Sequence, residues 1–123
     1  VSTVPRPGLL RTYQRPSLRN VDLGFAGRYA PDNLVHRAIQ ALGPGDPVEL
    51  VQSGERLELH DPSGRVVGRM AKAYTLPIGS HCVEARVAAV IVRRREDSDA
   101  DYREAMRCDQ WEVVVPEFVF ESE

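Results

Sequence analysis

The chain has 123 residues, of which 28% are charged and 42% hydrophobic, and its formal net charge is −2. This length suffices for one domain with a sizeable core but is short for an enzyme that builds its own cleft. The pI near 5.9 argues against a dedicated, stand-alone nucleic-acid binder. No apolar run approaches the roughly 18 residues of a membrane span and no signal-peptide pattern is visible, so we expect a cytoplasmic protein.

Residues 1–20 are predicted to form an extended basic arm or linker, and residues 21–123 a single β-rich domain. The arm contains too much proline and glycine for a long helix or a central strand, at Pro5, Pro7, Gly8 and Pro16. Residues 1–30 carry five arginines against one aspartate, a net charge of +4, which leaves −6 on the rest. A start without methionine in a proline-rich segment is typical of a piece of a longer protein.

The best helix signal lies at residues 32–42. Its apolar residues fall on one helical face, at Leu34, Val35, Ala38, Ile39 and Leu42. Pro31 and Asp32 suit a helix start, and the sequence Gly-Pro-Gly at 43–45 predicts the end.

From residue 47 onward the pattern is β. Runs at 48–52, 56–60 and 65–70 are separated by turn residues, which predicts hairpins, the second around 61–64. The long run at 82–95 changes parity, which predicts a bulge near Ala88 and Ala89. A last strand at 111–115 is expected to end at Pro116, with 118–120 returning to the core. Residues 99–107 predict a short helix.

These elements predict a mainly β fold, a small curled or barrel-like, OB-related antiparallel sheet with one main α-helix. A five-stranded barrel is the first choice. The alternative is an open, twisted sheet with the helix packed across one face.

The sequence shows no strong catalytic or metal-binding motif, so we expect no catalytic residues, no cofactor and no metal. A zinc site would have to draw on His60, His81, Cys82 and Cys108, which lack ligand spacing. His81 and Cys82 are neighbours, and strand neighbours point to opposite faces, which disfavours a Cys–His couple. Both cysteines are expected to be reduced thiols, although a disulfide between them stays open.

The basic residues point to a polyanion. Cations on the predicted hairpin suit phosphate contacts, and nearby tyrosines suit base stacking, as single-stranded nucleic acid requires. The alternative is that the tyrosines are half-buried and that the acids at 96–101 neutralise the arginines at 93–95. The candidate nucleic-acid-binding residues are Arg28, Tyr29, Arg65, Arg69, Lys72 and Tyr74.

The chain resembles the C-terminal accessory region of bacterial RecQ-like DNA helicases. The resemblance lies in residues 13–42, in 61–69 (Asp-Pro-Ser-Gly-Arg-Val-Val-Gly-Arg) and in 111–117 (Trp-Glu-Val-Val-Val-Pro-Glu). The helicase motor, with its GxxxxGK[ST] motif, is absent from this sequence.

A second resemblance is to the HIRAN domain, an OB-like fold that binds single-stranded DNA ends. Residues 27–30 (Gly-Arg-Tyr-Ala) are similar to the Gly-x-Arg-Tyr-Tyr strand of that family, with one residue missing after the glycine, and residues 64–68 (Gly-Arg-Val-Val-Gly) are similar to its Gly-x-x-Val-Gly hairpin. The likeness implies ligand contacts for Arg28 and Tyr29 alone. The family's Asn-Pro-Tyr-Asp loop is missing here, and a predicted helix follows Tyr29.

Together these observations predict a non-catalytic, nucleic-acid-binding accessory domain of a DNA helicase or other DNA-processing protein. Its expected partners are single-stranded DNA and the rest of a helicase chain, with no membrane. The alternative is a protein-interaction or self-association module, indicated by the acidic body and the apolar residues 118–120.

Overall fold

The computed structural model describes residues 10–122. Across this range the chain forms β1 (Leu10–Gln14), α1 (Leu34–Gln40), β2 (Glu49–Ser53), β3 (Arg56–His60), β4 (Val66–Arg69), β5 (Ser80–Arg94), α2 (Ala100–Arg103) and β6 (Gln110–Ser122). The strands make two antiparallel three-stranded sheets, in the orders β1-β6-β5 and β2-β3-β4. The predicted fold class, mainly β with a small curled antiparallel sheet and one main α-helix, is confirmed.

The β5–β6 ribbon is the longest feature of the fold, because both strands are rich in β-branched residues that suit a half-buried pleated surface. The register shifts between Cys82 and Glu84, and again between Val87 and Ala89. The second shift confirms the bulge predicted near Ala89. The first shift was not foreseen.

Strand β6 continues past Pro116, so the predicted strand end there is wrong. Pro116 pairs with Val87, next to the second bulge of β5. A proline lacks an N–H group, and a bulge is a place where the hydrogen-bond ladder tolerates that loss. Beyond it, Phe118 and Phe120 are each 1% exposed, which confirms that this segment returns to the core.

The second sheet is built from two hairpins, as predicted. The turn after β2 contains Gly54 at φ +59°, and the turn after β3 contains Gly64 at φ +84°. In the latter turn the buried carboxylate of Asp61 accepts hydrogen bonds from the backbone N–H groups of Ser63 and Arg65, both at 2.9 Å. A side chain that satisfies turn N–H groups fixes the hairpin geometry.

The two sheets are joined by short backbone contacts. Val48 N–H donates to the Ala85 carbonyl at 3.1 Å, and Gly45 N–H donates to the Val87 carbonyl at 2.7 Å. Within residues 10–122 these contacts do not close the six strands into a barrel, so the predicted five-stranded barrel is wrong and the open arrangement is closer.

The predicted helix at 32–42 is present but shorter. It starts one residue after Asn33, whose side chain accepts a hydrogen bond from the Val35 N–H at 2.9 Å, the usual N-cap interaction. Ala38 and Ile39 are buried and the helix packs against β6. The short predicted helix at 99–107 appears as the single turn of α2.

Part of the predicted basic arm belongs to the fold. Residues 1–9 lie outside the described range, but Leu10–Gln14 is an edge strand that pairs along its whole length with β6. Its side chains also cross to β6, where Arg11 pairs with Glu121 at 2.9 Å and the Tyr13 hydroxyl donates to Glu117 at 2.6 Å. The segment is extended, as predicted, but it is paired into the sheet.

The core lies between the two sheets and under α1. Each large apolar side chain removed from water there contributes about 1.5–3 kcal/mol. The largest fully buried apolar side chains are Phe118, Phe120, Ile39, Leu59, Met70, Val67, Val87 and Val114. Among the residues that the structure describes, no helix combines the length and the hydropathy that crossing a membrane would require.

Candidate nucleic-acid interface

The candidate site is built around a buried acid, Asp22, which is 9% exposed. The segment that carries it pairs with the end of the β3–β4 hairpin, because Asp22 N–H donates to the Arg69 carbonyl at 2.8 Å and Ala71 N–H donates to the Asn20 carbonyl at 2.7 Å. This pairing places the Asp22 carboxylate beside the side chain of Arg69.

Two predicted site residues converge on that carboxylate. Arg28 donates to both of its oxygens, at 2.8 and 3.0 Å, and Arg69 donates to one of them through two nitrogens, at 3.0 and 2.7 Å. Burial raises the pKa of Asp22, but the hydrogen bonds and charges of the two arginines outweigh it, so the pKa lies below its ordinary value of 3.8. The carboxylate is therefore ionised at neutral pH.

A third guanidinium was missed in the sequence. Arg56, the first residue of β3, places its Nη1 3.8 Å from the Asp22 carboxylate. Within the described residues, three cations thus surround one anion, a local net charge of +2. Their side chains are 38%, 30% and 27% exposed for Arg28, Arg56 and Arg69, so solvent or a ligand reaches all three. We call Asp22 with these three arginines the arginine cluster.

The sequence did contain a signal for Arg56. Glu58 lies opposite Arg69 across the β3–β4 ladder, and alternate residues of a strand share a face. Arg56 therefore lies on the same face as Arg69, one strand repeat away. The alternation of the predicted strand at 56–60 therefore contained a signal for Arg56.

Tyr29 lies beside the arginine cluster. Its side chain is 40% exposed and its ring meets the ring of Phe25 edge to face, with centroids 5.4 Å apart. The guanidinium of Arg69 lies over the same Phe25 ring, 5.9 Å from its centroid. Phe25 thus contacts both the exposed ring of Tyr29 and the guanidinium of Arg69.

The other predicted site residues lie apart from the arginine cluster or are engaged elsewhere. Arg65 lies at the tip of the β3–β4 turn and pairs with Asp61 at 3.0 Å. Lys72 is exposed just beyond β4. Tyr74 is half-buried: its hydroxyl donates to Gln14 at 2.6 Å, its ring packs near Phe118, and burial raises its pKa to about 12. This position favours a core role for Tyr74.

An open cavity of about 360 Å³ adjoins the arginine cluster. Its lining includes three cations, Arg28, Arg56 and Arg93, together with Asp97, Asp99 and Tyr102 from the segment around α2. Gly24 also lines the cavity, and a Cβ there would lie 3.1 Å from Arg28 Nη2 and 2.8 Å from Met106 Cε. A side chain at position 24 would therefore press on Arg28.

The acids after β5 contact the backbone of the arginine run. The Asp97 carboxylate accepts from the Arg94 N–H at 2.9 Å, and the Arg93 guanidinium donates to the Asp97 carbonyl at 3.1 Å. Among the described residues no carboxylate forms an ion pair with Arg93 or Arg94, while Arg95 pairs with Asp109 at 3.5 Å. Asp109 lies outside the run 96–101, so among the described residues the acids considered from the sequence form no ion pair with these three arginines.

A second cavity, of about 350 Å³, contains a Cys–His contact that the sequence did not suggest. Cys108 Sγ lies 3.6 Å from His36 Nε2 and donates to the Tyr29 carbonyl at 3.2 Å. His36 Nε2 faces the Ala30 carbonyl at 3.0 Å, so this nitrogen carries the proton and cannot accept one from the thiol. Burial, and then the charge of Asp109, raises the pKa of Cys108. The pair thus lacks the geometry of an activated nucleophile.

Within residues 10–122 no group of three or more His, Cys, Asp or Glu side chains is arranged to hold a metal ion. Both thiols are free, and Cys82 donates to the Glu84 carbonyl at 3.3 Å. Comparison of the chain with protein-family models, with curated proteins and with solved structures finds no match. The site is therefore interpreted from its own geometry.

Proposed function

We propose that this chain is a non-catalytic nucleic-acid-binding accessory domain that holds single-stranded DNA for a larger DNA-processing protein. The observation that carries the proposal is the arginine cluster, a local net charge of +2 with partly exposed arginine side chains next to the exposed ring of Tyr29. Guanidinium groups bind phosphates through paired hydrogen bonds, and aromatic rings stack on unpaired bases.

Acidic residues far from the arginine cluster oppose this role only weakly. Charges further than about 8–10 Å from a phosphate are largely screened at physiological salt, so the cations nearest to the strand determine the contact energy. The net charge of −2 predicts modest affinity for the isolated domain, and the salt dependence should amount to about 0.7 log–log units for each phosphate contact.

Titration of a fluorescently labelled, unphosphorylated single-stranded oligonucleotide at several salt concentrations tests the proposal. Arg56→Gln and Lys72→Gln remove cations that make no side-chain hydrogen bond with any described residue, so neither change should unfold the protein. Each is expected to weaken binding and, if it removes one phosphate contact, to flatten the log–log salt slope by about 0.7.

Arg86→Gln is the matched control. Arg86 lies seven residues from Arg93 along β5, roughly 20 Å away at the rise of a strand, and its partner is Glu84. Its replacement should leave affinity and slope unchanged. Absence of binding at low salt, or equal losses for Arg56→Gln and Arg86→Gln, would show that the assignment is wrong.

The wider part of the proposal concerns the parent protein. The resemblance to RecQ-like helicases suggests that the rest of a helicase chain accompanies this domain, in the cytoplasm. The full open reading frame tests it: a motor with a GxxxxGK[ST] motif upstream would support the proposal, and a parent without any DNA-processing domain would contradict it.

The alternative, a protein-interaction or self-association module, rested on the acidic body and on the apolar segment 118–120. Phe118 and Phe120 are buried in the core, so these rings offer no surface to a partner. Sedimentation equilibrium over a range of protein concentrations tests the alternative directly, since self-association raises the apparent mass with concentration.

A further inference from the structure

The cavity beside the arginine cluster contains polar groups that the described protein leaves unsatisfied. The Nε atoms of Arg56, Arg93 and Arg95 are buried, and none finds a hydrogen-bond partner among residues 10–122; Arg56 and Arg93 also line the cavity. Buried polar groups are usually paired, so these unpartnered atoms show that the two guanidinium groups are not fully committed to acceptors of the protein itself.

The remaining donors of these side chains are also largely uncommitted. The side chain of Arg56 makes no hydrogen bond with any described residue and stands 3.8 Å from the Asp22 carboxylate, which Arg28 and Arg69 already occupy. Arg93 uses one nitrogen for the Asp97 carbonyl. A guanidinium has five N–H donors in a planar fork, so most of the donor capacity of Arg56 and Arg93 is free for a ligand.

We propose that this cavity is a binding site for the phosphate dianion of a phosphomonoester, held by Arg28, Arg56 and Arg93. A tetrahedral anion with several charged oxygens accepts from more than one guanidinium fork at once, which is the arrangement that arginine recognises best. This inference rests on the nucleic-acid-binding role proposed above, because that role supplies the ligand: a phosphorylated end of a DNA strand carries such a group.

The acids in the lining favour a terminal phosphate over an internal one. Asp97 and Asp99 also line the cavity, and a strand crossing the whole cavity would bring successive phosphodiesters against these carboxylates. A terminal phosphate at the arginines leaves only its uncharged sugar and base to face the acids. Tyr102, 59% exposed on α2, offers a ring to that base.

The test compares three forms of one labelled oligonucleotide: 5′-phosphorylated, 3′-phosphorylated and without a terminal phosphate. At least one phosphorylated form is expected to bind about tenfold more tightly, the gain of a charge-assisted contact. Millimolar inorganic phosphate should abolish the difference if the cavity recognises the phosphate group itself. Equal affinity of all three forms would overturn the inference while leaving the proposed function intact.

Variants assign the preference to this cavity. Arg93→Gln should remove the preference for a terminal phosphate, and Arg93→Lys, which keeps the charge but loses the fork, should retain part of it. Arg56→Gln removes no hydrogen bond of the described structure and serves as a second variant that should fold. A preference that survives Arg93→Gln and Arg56→Gln as fully as it survives Arg86→Gln would show that the site lies elsewhere.

Calorimetric titration with inorganic phosphate alone separates the two proposals. Binding of phosphate by the unaltered protein and not by Arg93→Gln, without any binding of oligonucleotides, would retain the phosphate site and overturn the nucleic-acid role. Failure of both phosphate and oligonucleotides to bind would overturn both.

Discussion

The carboxylate of Asp22 accepts two hydrogen bonds from the guanidinium of Arg69, at 3.0 and 2.7 Å, across 47 residues of sequence. Together with the backbone bond from Asp22 N–H to the Arg69 carbonyl, this contact fastens the segment before Phe25 to the end of β4. The same acid holds Arg28, so a single buried charge positions cations from two separate parts of the chain.

Replacement of Asp22 should lower the stability of the protein without lowering its affinity for oligonucleotides. Asp22→Asn keeps the shape but leaves the arginines without their counter-charge, and we expect a loss of about 2–3 kcal/mol in the free energy of unfolding by urea. Asp109→Asn is the control, because Asp109 is 95% exposed and should change stability by less than about 0.5 kcal/mol. Under conditions in which it is folded, Asp22→Asn should bind oligonucleotides at least as well as the unaltered protein, since the cluster gains net positive charge.

The same acid should make the fold sensitive to low pH. Burial raises the pKa of Asp22 and of Asp61, but hydrogen bonds and charges from their arginine partners lower it further, so both lie below 3.8. A lowered folded-state pKa contributes stability that is present above the unfolded value and is lost as the pH falls through the folded value. Urea unfolding from about pH 6 to pH 2 should show this loss below about pH 4, and a smaller loss in Asp22→Asn. Equal slopes for the two proteins would contradict the assignment.

A third prediction concerns the backbone under Trp111. A Cβ at Gly27 would lie 2.6–2.8 Å from three carbons of the indole ring, so Gly27→Ala must displace the ring or the chain and should cost about 1–3 kcal/mol. Gly43→Ala is the matched control, because nothing lies within 4 Å of its added Cβ and its φ is not in the left-handed region. Thermal unfolding of both variants, with Gly43→Ala neutral or slightly stabilised, checks the prediction.

Most of the strands could be predicted because alternation of apolar residues and turn residues are local features of the sequence. Alternation and turn residues placed β3 and both hairpins, and the parity change in β5 gave the bulge at Val87–Ala89. Strand β1 was missed because its partner, β6, lies more than a hundred residues away. The continuation of β6 through Pro116 was missed because the bulge that accommodates it lies on the other strand.

Some residues of the candidate site could be predicted from the sequence, but their arrangement in space could not. Arg28 was selected as a cation beside Tyr29, and Arg69 as a cation of the predicted hairpin; the structure brings these two residues together. Asp22 was treated as one opposing charge, and its role as the centre of the cluster depends on tertiary pairing with β4. Tyr74 was selected for its nearness to Lys72 in sequence, but its ring points toward Phe118, a contact that only the packing of the sheets creates.

Two tyrosines should respond differently to substitution. Tyr29→Ala is expected to weaken oligonucleotide binding by about 1–3 kcal/mol through lost base stacking, with an unchanged salt slope. Tyr74→Phe removes the hydroxyl bound to Gln14 and should cost stability by about 0.5–1.5 kcal/mol, with oligonucleotide affinity unaffected. Titrations and urea unfolding of both variants distinguish these outcomes. The reverse pattern would place the stacking surface at Tyr74.

The thiol of Cys108 should be unreactive in the native protein. It is 5% exposed, its pKa is raised by burial, and its proton is donated to the Tyr29 carbonyl. We expect alkylation by iodoacetamide at neutral pH to be much slower than in the urea-unfolded chain, as measured by mass spectrometry of the peptide that contains Cys108. Rapid native alkylation would instead indicate an activated thiolate and would reopen an enzymatic role.

The position of Trp111 has a practical consequence. This is the chain's one tryptophan; its ring is 3% exposed, lies against Gly27, and its Nε1–H donates to the Leu23 carbonyl at 2.8 Å. The segment that touches the indole also carries Arg28 and Tyr29. The protein therefore contains an intrinsic fluorophore directly beneath the residues proposed to meet DNA, and its emission offers a label-free readout of movement in that segment when a ligand binds.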